Sequence, residues 1–406
     1  MPSSACLRYE ALLVELHREM RAGRGKGERA DQLRNEMDAP YHASSEEEQA
    51  LLDDLSEDLY IIEGKRRVEL LAEGETQAIV SQKVNEAFLG QDDRQALSLI
   101  RKLPSPLEAR YVYAMGRCWE RQGFFHAAVC FYDFANELEP KPHYEFLALE
   151  ALVSAGLIDV AVERAREIES RPIVSGILLL EVAAILRRAS MQAEEKDQRA
   201  VLERVTKLVE SAWDDPTALP SIRAMGLLAA GFAYEDLGDK DQALRSFERA
   251  VTVHRSEGPL LARGLALLHS DRARAMRDFT DAARLKTKLD WPYLYAAFHA
   301  LQIGRYAEVE RFCEDGLALS TRSEVRGRLF EWWAIAAAML GRPEQQVNAL
   351  FDQATAELPL DLEIRGNAKR YREALDTQEV LPANDWELSA AEIDEAQAWE
   401  SLRLAA

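Results

Sequence analysis

Over 406 residues the chain carries a net charge of −20, 48% hydrophobic residues, and only 14 prolines and 20 glycines. That is apolar enough for a folded core, and long enough for two ordinary domains or one elongated repeat array, which excludes global disorder. The acidic balance would repel a phosphate backbone and no basic stripe offsets it, so no nucleic-acid partner is expected.

Alanine, leucine, glutamate and arginine dominate and β-branched runs are scarce, so helix is expected almost throughout. Residues 1–65 read as a small helical N-terminal module. Within it, residues 7–20 place leucines at 12, 13 and 16 beside Val14, an apolar stripe that needs a partner. The segment lacks the charged start, apolar middle and cleavage site of a secretory signal, so a cytoplasmic location is expected. The glycine-rich residues 21–27 read as a flexible basic connector. They lack the Lys-Ser/Thr ending of a phosphate-binding loop and follow a helix, not a strand. A second helix is expected over 28–37, stopping before Pro40. Ser45 and Glu48 have the spacing of a capping box, which starts a helix through Leu55 with Leu59, Tyr60, Ile61 and Ile62 clustered beyond it. The run LRNEMDAPYHASSEEEQALLDDLSEDLY resembles a short helical module at the front of some bacterial repeat proteins.

From 76 to 359 a period of roughly 33 residues takes over. Its units hold Ala87, Gly90 and Ala96; then Gly116, Trp119, Gly123, Ala128 and Tyr132; then Leu152, Gly156, Ala161 and Ala165. A fourth begins at Leu178 and is expected to carry an insertion at 188–198 between its helices. The fifth is the clearest, LLAAGFAYEDLGDKDQALRSFERA from Leu227 to Ala250, with Gly231, Ala243 and Ala250 where helices touch and Tyr234 and Phe247 where gaps need filling. Ala275, Phe279 and Ala282 mark a sixth without a turn glycine. Gly304, Val309 and Cys313 mark a seventh, and Trp333, Gly341, Phe351 and Pro359 an eighth. Each helix is too short to be stable alone, so stacking of neighbouring pairs supplies the stability.

These positions resemble the tetratricopeptide repeat, of a bacterial type. The resemblance implies an all-α fold, a right-handed superhelix of stacked antiparallel helix pairs, about eight of them over 76–359. It also implies a non-catalytic scaffold whose concave groove, lined by the first helix of each pair, binds a peptide or helical segment. Carried onto this chain, the groove-facing positions include Asn85, Arg110, Tyr113, Arg117, Arg121 and Phe146, with Leu228, Phe232, Trp291, Leu294 and Phe298 further on. The family's carboxylate clamp is incomplete: Asn85 fits one place, while Ser81, Ala114 and His143 occupy others. Arginines beside Tyr113 and Phe146 suit a protein or peptide partner of acidic or aromatic character.

Residues 360–375 read as a capping helix, and 376–406 as an acidic tail, with seven acids against one base from Thr377 on. Ser389 and Glu392 give a second capping-box spacing, so a terminal helix is expected from about residue 390 to 402. Trp386 and Trp399 are candidate anchors by which the tail could occupy the groove, making the chain a peptide-sensing or self-gated receptor. No apolar run spans a membrane; the best, 173–186, is broken by Ser175, Gly176 and Glu181. Seven scattered histidines and four widely spaced cysteines offer no metal or redox motif, and no nucleophile elbow occurs, so neither catalysis nor a cofactor is expected. A homodimer stays open.

Overall fold

The computed structural model describes residues 2–62, 76–171, 174–192, 195–379, 381–389 and 394–405. The regular structure among them is helical, in two compact units, 1–201 and 202–406.

The first unit opens with α1 (Ser4–Arg21), α2 (Glu28–Ala43) and α3 (Glu46–Ile62). Helix α2 does not stop before Pro40: it runs through it to Ala43, giving up the one bond that a Pro40 N–H would make to the Glu36 carbonyl. The Ser44 hydroxyl donates to the Pro40 carbonyl at 2.9 Å and closes that turn. The capping box forms, with the Glu48 amide donating to Ser45 Oγ and the Ser45 amide to Glu48 Oε2. From it α3 continues past Leu55, so the cluster at 59–62 is the last turn of that same helix and not a separate segment.

Pairs follow in order: α4 (Gln77–Leu89) with α5 (Asp93–Ile100), α6 (Ala109–Arg121) with α7 (Phe125–Leu138), and α8 (Pro142–Ser154) with α9 (Ile158–Glu169). The left-handed residue of the first turn is Gln91, not Gly90, whereas Gly123 and Gly156 take that conformation in the next two. Helix α10 (Gly176–Ser190) packs on α8 and α9, and α11 (Glu195–Ala212) follows it in the chain. Of residues 188–198, the described part is the end of α10, a turn and the start of α11; the rest of the expected insertion lies outside the described residues.

One buried core unites α1–α3 with the pairs behind them, from Leu13 and Leu55 to Trp119, Phe124 and Phe131. Two buried carboxylates make the junction. Glu10 of α1 accepts the Ala127 amide at 2.9 Å, in the first turn of α7, where the N-cap residue Phe124 has no side-chain acceptor to offer. Asp58 of α3 accepts from Arg101 Nε at 2.6 Å and from the Trp119 indole at 3.0 Å.

The second unit holds α12 (Pro220–Asp236) with α13 (Lys240–Val253), α14 (Glu257–Leu267) with α15 (Arg272–Arg284), α16 (Trp291–Gln302) with α17 (Tyr306–Leu319), and α18 (Ser323–Met339) with α19 (Glu344–Glu357). Asp239 and Asp271 cap α13 and α15. The same lock recurs within pairs. A Cβ at Gly231 would lie 2.2 Å from Phe247, one at Gly264 2.5 Å from Phe279, and in the first unit one at Gly116 2.8 Å from Tyr132. The aromatic of the second helix thus lies on bare backbone of the first, which brings two helices closer than side chains on both sides would permit. Helix α20 (Leu362–Thr377) packs on α19, and α21 (Glu395–Ala405) ends the chain. Residues 390–393, where the second capping box was expected, lie outside the described residues.

Candidate functional site

In the first unit the first helices carry an aromatic cluster centred on Tyr113 of α6. Its ring lies 6.2 Å from Phe88, 5.8 Å from His143 and 5.6 Å from Tyr144, and His143 stacks on Phe146 at 6.4 Å. Tyr113 and Phe146 are therefore brought into one patch through His143. Burial, then the charge of Arg117, holds the His143 imidazole below its usual pKa, so the ring is neutral at physiological pH.

The arginines are already engaged. Arg117 donates to Glu120 at 2.6 Å, and Glu120 also accepts the Tyr132 hydroxyl. Arg121 donates from Nε to Asp93 at 2.8 Å and covers the Phe88 ring. Arg110 pairs with Glu108 at 3.0 Å and lies over Tyr111, near the other end of α6. Each guanidinium has a local carboxylate, so this face is aromatic with balanced charge and not a cationic cradle. Asn85 is exposed on α4.

In the second unit the first-helix face carries α21. Trp399 meets Phe232 edge-on at 6.2 Å and Phe247 at 6.1 Å, while Ala398 and Leu402 are 2% exposed. Polar contacts flank this apolar strip. Arg403 pairs with Asp236 at 2.8 Å, Ser401 Oγ accepts the Trp291 indole at 3.1 Å, and Glu395 pairs with His269 at 2.8 Å. Arg322 grips both oxygens of Asp290, which aims its remaining nitrogen at Gln397 Oε1, 2.8 Å away. Of the later groove-facing positions, Phe232 and Trp291 meet α21, while Leu294 and Phe298 are buried in the core behind. Asp236, His269, Arg322 and Ser401 escaped sequence reasoning because no local pattern marks them; their neighbours are tens to over a hundred residues away.

Leading to α21, residues 381–389 form a strap over α19 and α20. Trp386 is buried against Phe351, their rings stacked at 6.2 Å. Asn367 of α20 holds both backbone groups of Glu387: its amide donates to the carbonyl at 2.8 Å and its oxygen accepts the N–H at 3.0 Å. The same amide donates to the buried Glu331, whose carboxyl is pushed up to about 7 by burial, against the pull of Arg328 and Asn367.

Among the described residues no group of three His, Cys, Asp or Glu side chains could hold a metal ion, and no helix is long and apolar enough to cross a membrane. All four cysteines are buried; burial pushes the Cys6 thiol up to about 11 and Cys118 to about 12, so neither is a nucleophile at neutral pH.

Successive helix pairs among the described residues, a small residue of one helix against an aromatic of the next, and left-handed turn glycines define an all-α helical-repeat protein of the tetratricopeptide type. No protein-family model matches the chain, and neither does any curated protein. Solved structures with a similar course include a thermophilic TPR protein of Thermus thermophilus, 18% identical over 44% of this chain and 91% of that one, with a TM-score of 0.34. The C-terminal part of a TPR repeat-containing protein of Cytophaga hutchinsonii is 12% identical over 70% and 98%, at 0.37. A signal-transduction ATPase of Pyrococcus horikoshii with a tetratricopeptide repeat sensor is 13% identical over 92% and 65%, at 0.43. At such scores these likenesses carry no argument about binding; the repeat class rests on the packing above.

Proposed function

We propose that this chain is a non-catalytic protein-interaction scaffold whose second unit is self-gated, its first-helix face binding a helical segment of a partner in exchange for α21. The observation that carries this reading is the seating of α21. One tryptophan, two fully covered apolar residues and four polar contacts hold an eleven-residue helix. A helix that short is marginal in isolation, so its order comes from the face beneath it. What it covers is apolar surface that a partner helix would cover equally well.

The aromatic patch of the first unit, Tyr113 with His143 and Phe146, favours a second, permanently open contact for a partner peptide. Its rings supply contact area at low entropic cost, and its balanced arginines suit a partner without strong charge.

Ending the chain at Ser389 leaves the helix pairs and the Trp386 strap in place. A labelled peptide spanning 394–406 is expected to bind this shortened chain in fluorescence anisotropy and not the full-length one. If the shortened chain keeps its helical circular dichroism yet ignores the peptide, self-gating is wrong.

A further inference from the structure

We infer that the first-helix face of the second unit selects partner helices by a specific pattern: a tryptophan, a leucine three residues later, a basic residue four later, and an acidic residue four before. The inference rests on the self-gating reading and deepens it, since α21 displays this pattern in Glu395, Trp399, Leu402 and Arg403.

Three subsites carry the argument. The first is aromatic. Phe247 is held in place by the bare backbone of Gly231, and Phe232 stands beside it at 5.5 Å, so the two rings form a fixed corner into which Trp399 fits. A corner built by the repeat's own packing lock cannot rearrange to suit a smaller residue, and a smaller residue would leave it unfilled. The second is aliphatic: Ala398 and Leu402, four residues apart, lie on one stripe of α21 and are fully covered. The small residue at 398 and the larger one at 402 set how closely a helix can approach.

The third is electrostatic and gives direction. Asp236, at the end of α12, takes Arg403, whose guanidinium also lies 5.8 Å from the Trp399 ring. At the opposite end Glu395 meets His269, and Gln397 takes the nitrogen that Arg322 has free of Asp290. A helix entering the other way round would bring a basic residue to Arg322 and His269 and an acidic one to Asp236. Purely apolar contacts would accept any amphipathic helix in either direction; these charges accept one. The occupant inferred is a helix of a separate protein that offers the same order of charges, since Asp236 at one end and Arg322 with His269 at the other complement it.

The test uses the chain ending at Ser389 and labelled peptides of residues 394–406. With Trp399→Ala or Arg403→Glu in the peptide, binding is expected to weaken about tenfold or more. The Arg403→Glu peptide is expected to regain affinity for the shortened chain carrying Asp236→Arg. Equal binding of all peptides, or no rescue by the charge exchange, overturns the pattern while leaving self-gating intact. Failure of the unaltered peptide to bind overturns self-gating itself, and the pattern with it. Sedimentation of the full-length chain supplies the last arm. A concentration-dependent dimer that disappears on truncation at Ser389 would assign the face to a second copy and overturn the separate partner; a monomer throughout supports it.

Discussion

The Asp58 carboxylate accepts the Trp119 indole N–H at 3.0 Å and the Arg101 guanidinium at 2.6 Å, binding the third helix of the chain to the first two repeat pairs. Asp58 and Trp119 are fully buried, and Arg101, mostly covered, also pairs with Asp54 at 3.0 Å. Asp58→Ala is expected to cost about 1–3 kcal/mol, because it strands the buried Trp119 indole N–H and leaves Arg101 with Asp54 alone. Urea unfolding checks this; a loss below about 1 kcal/mol would mean that the junction is held by apolar contact alone.

Glu10 supplies the acceptor that the start of α7 lacks in its own sequence. Glu10→Ala should cost about 1–3 kcal/mol. Hydrogen exchange should speed up at the Ala127 amide and in α1, with α16 and α17 unchanged.

The contact between Gly231 and Phe247 leaves no room for a methyl group. Gly231→Ala should destabilise by about 1–3 kcal/mol, and Ala243→Leu, at another fully buried position of the same pair, by a similar amount. Adding Phe247→Leu to Gly231→Ala should recover part of the loss, a non-additivity that guanidinium denaturation of the single and double variants will read.

Glu331 gives a pH dependence with a definite sign. Its folded pKa, about 7, lies above the 4.5 of an unperturbed glutamate. The folded state therefore binds the proton more tightly, and this group's stabilisation is complete below about 4.5 and lost as pH rises through 7. Glu331→Gln cannot titrate. The stability of the unaltered chain relative to this variant should fall between pH 5 and 8, by on the order of 3 kcal/mol at most. A difference independent of pH would show that Glu331 stays ionised. Because Asn367 links Glu331 to Glu387, fluorescence of Trp386 should report whether the strap loosens over the same range.

Much of this architecture is written locally. The recurrence of a small residue at Gly116, Gly231 and Gly264 with an aromatic fifteen or sixteen positions on is a property of adjacent helices, which the chain brings together across a short turn. Turn glycines and aspartate caps are local for the same reason, so the helix pairs could be read without coordinates. Helix ends were less legible. Pro40 lacks only the N–H that would bond the Glu36 carbonyl one turn before it, and the helix outlasts that single loss as far as Ala43.

What tertiary structure decided is where distant side chains meet. The sequence shows Arg110, Arg117 and Arg121 as charges beside aromatics; only the fold reveals Asp93 against Arg121, neutralising what resembled a cationic groove. It also unites the front helices with the repeats through Glu10 and Asp58. Likewise, Trp399 is a tryptophan in an acidic tail until it is placed between Phe232 and Phe247. Periodicity records contacts between neighbours because their geometry repeats. Contacts such as Asp236 with Arg403 occur once, between residues whose separation along the chain carries no pattern, and only the packed chain contains them.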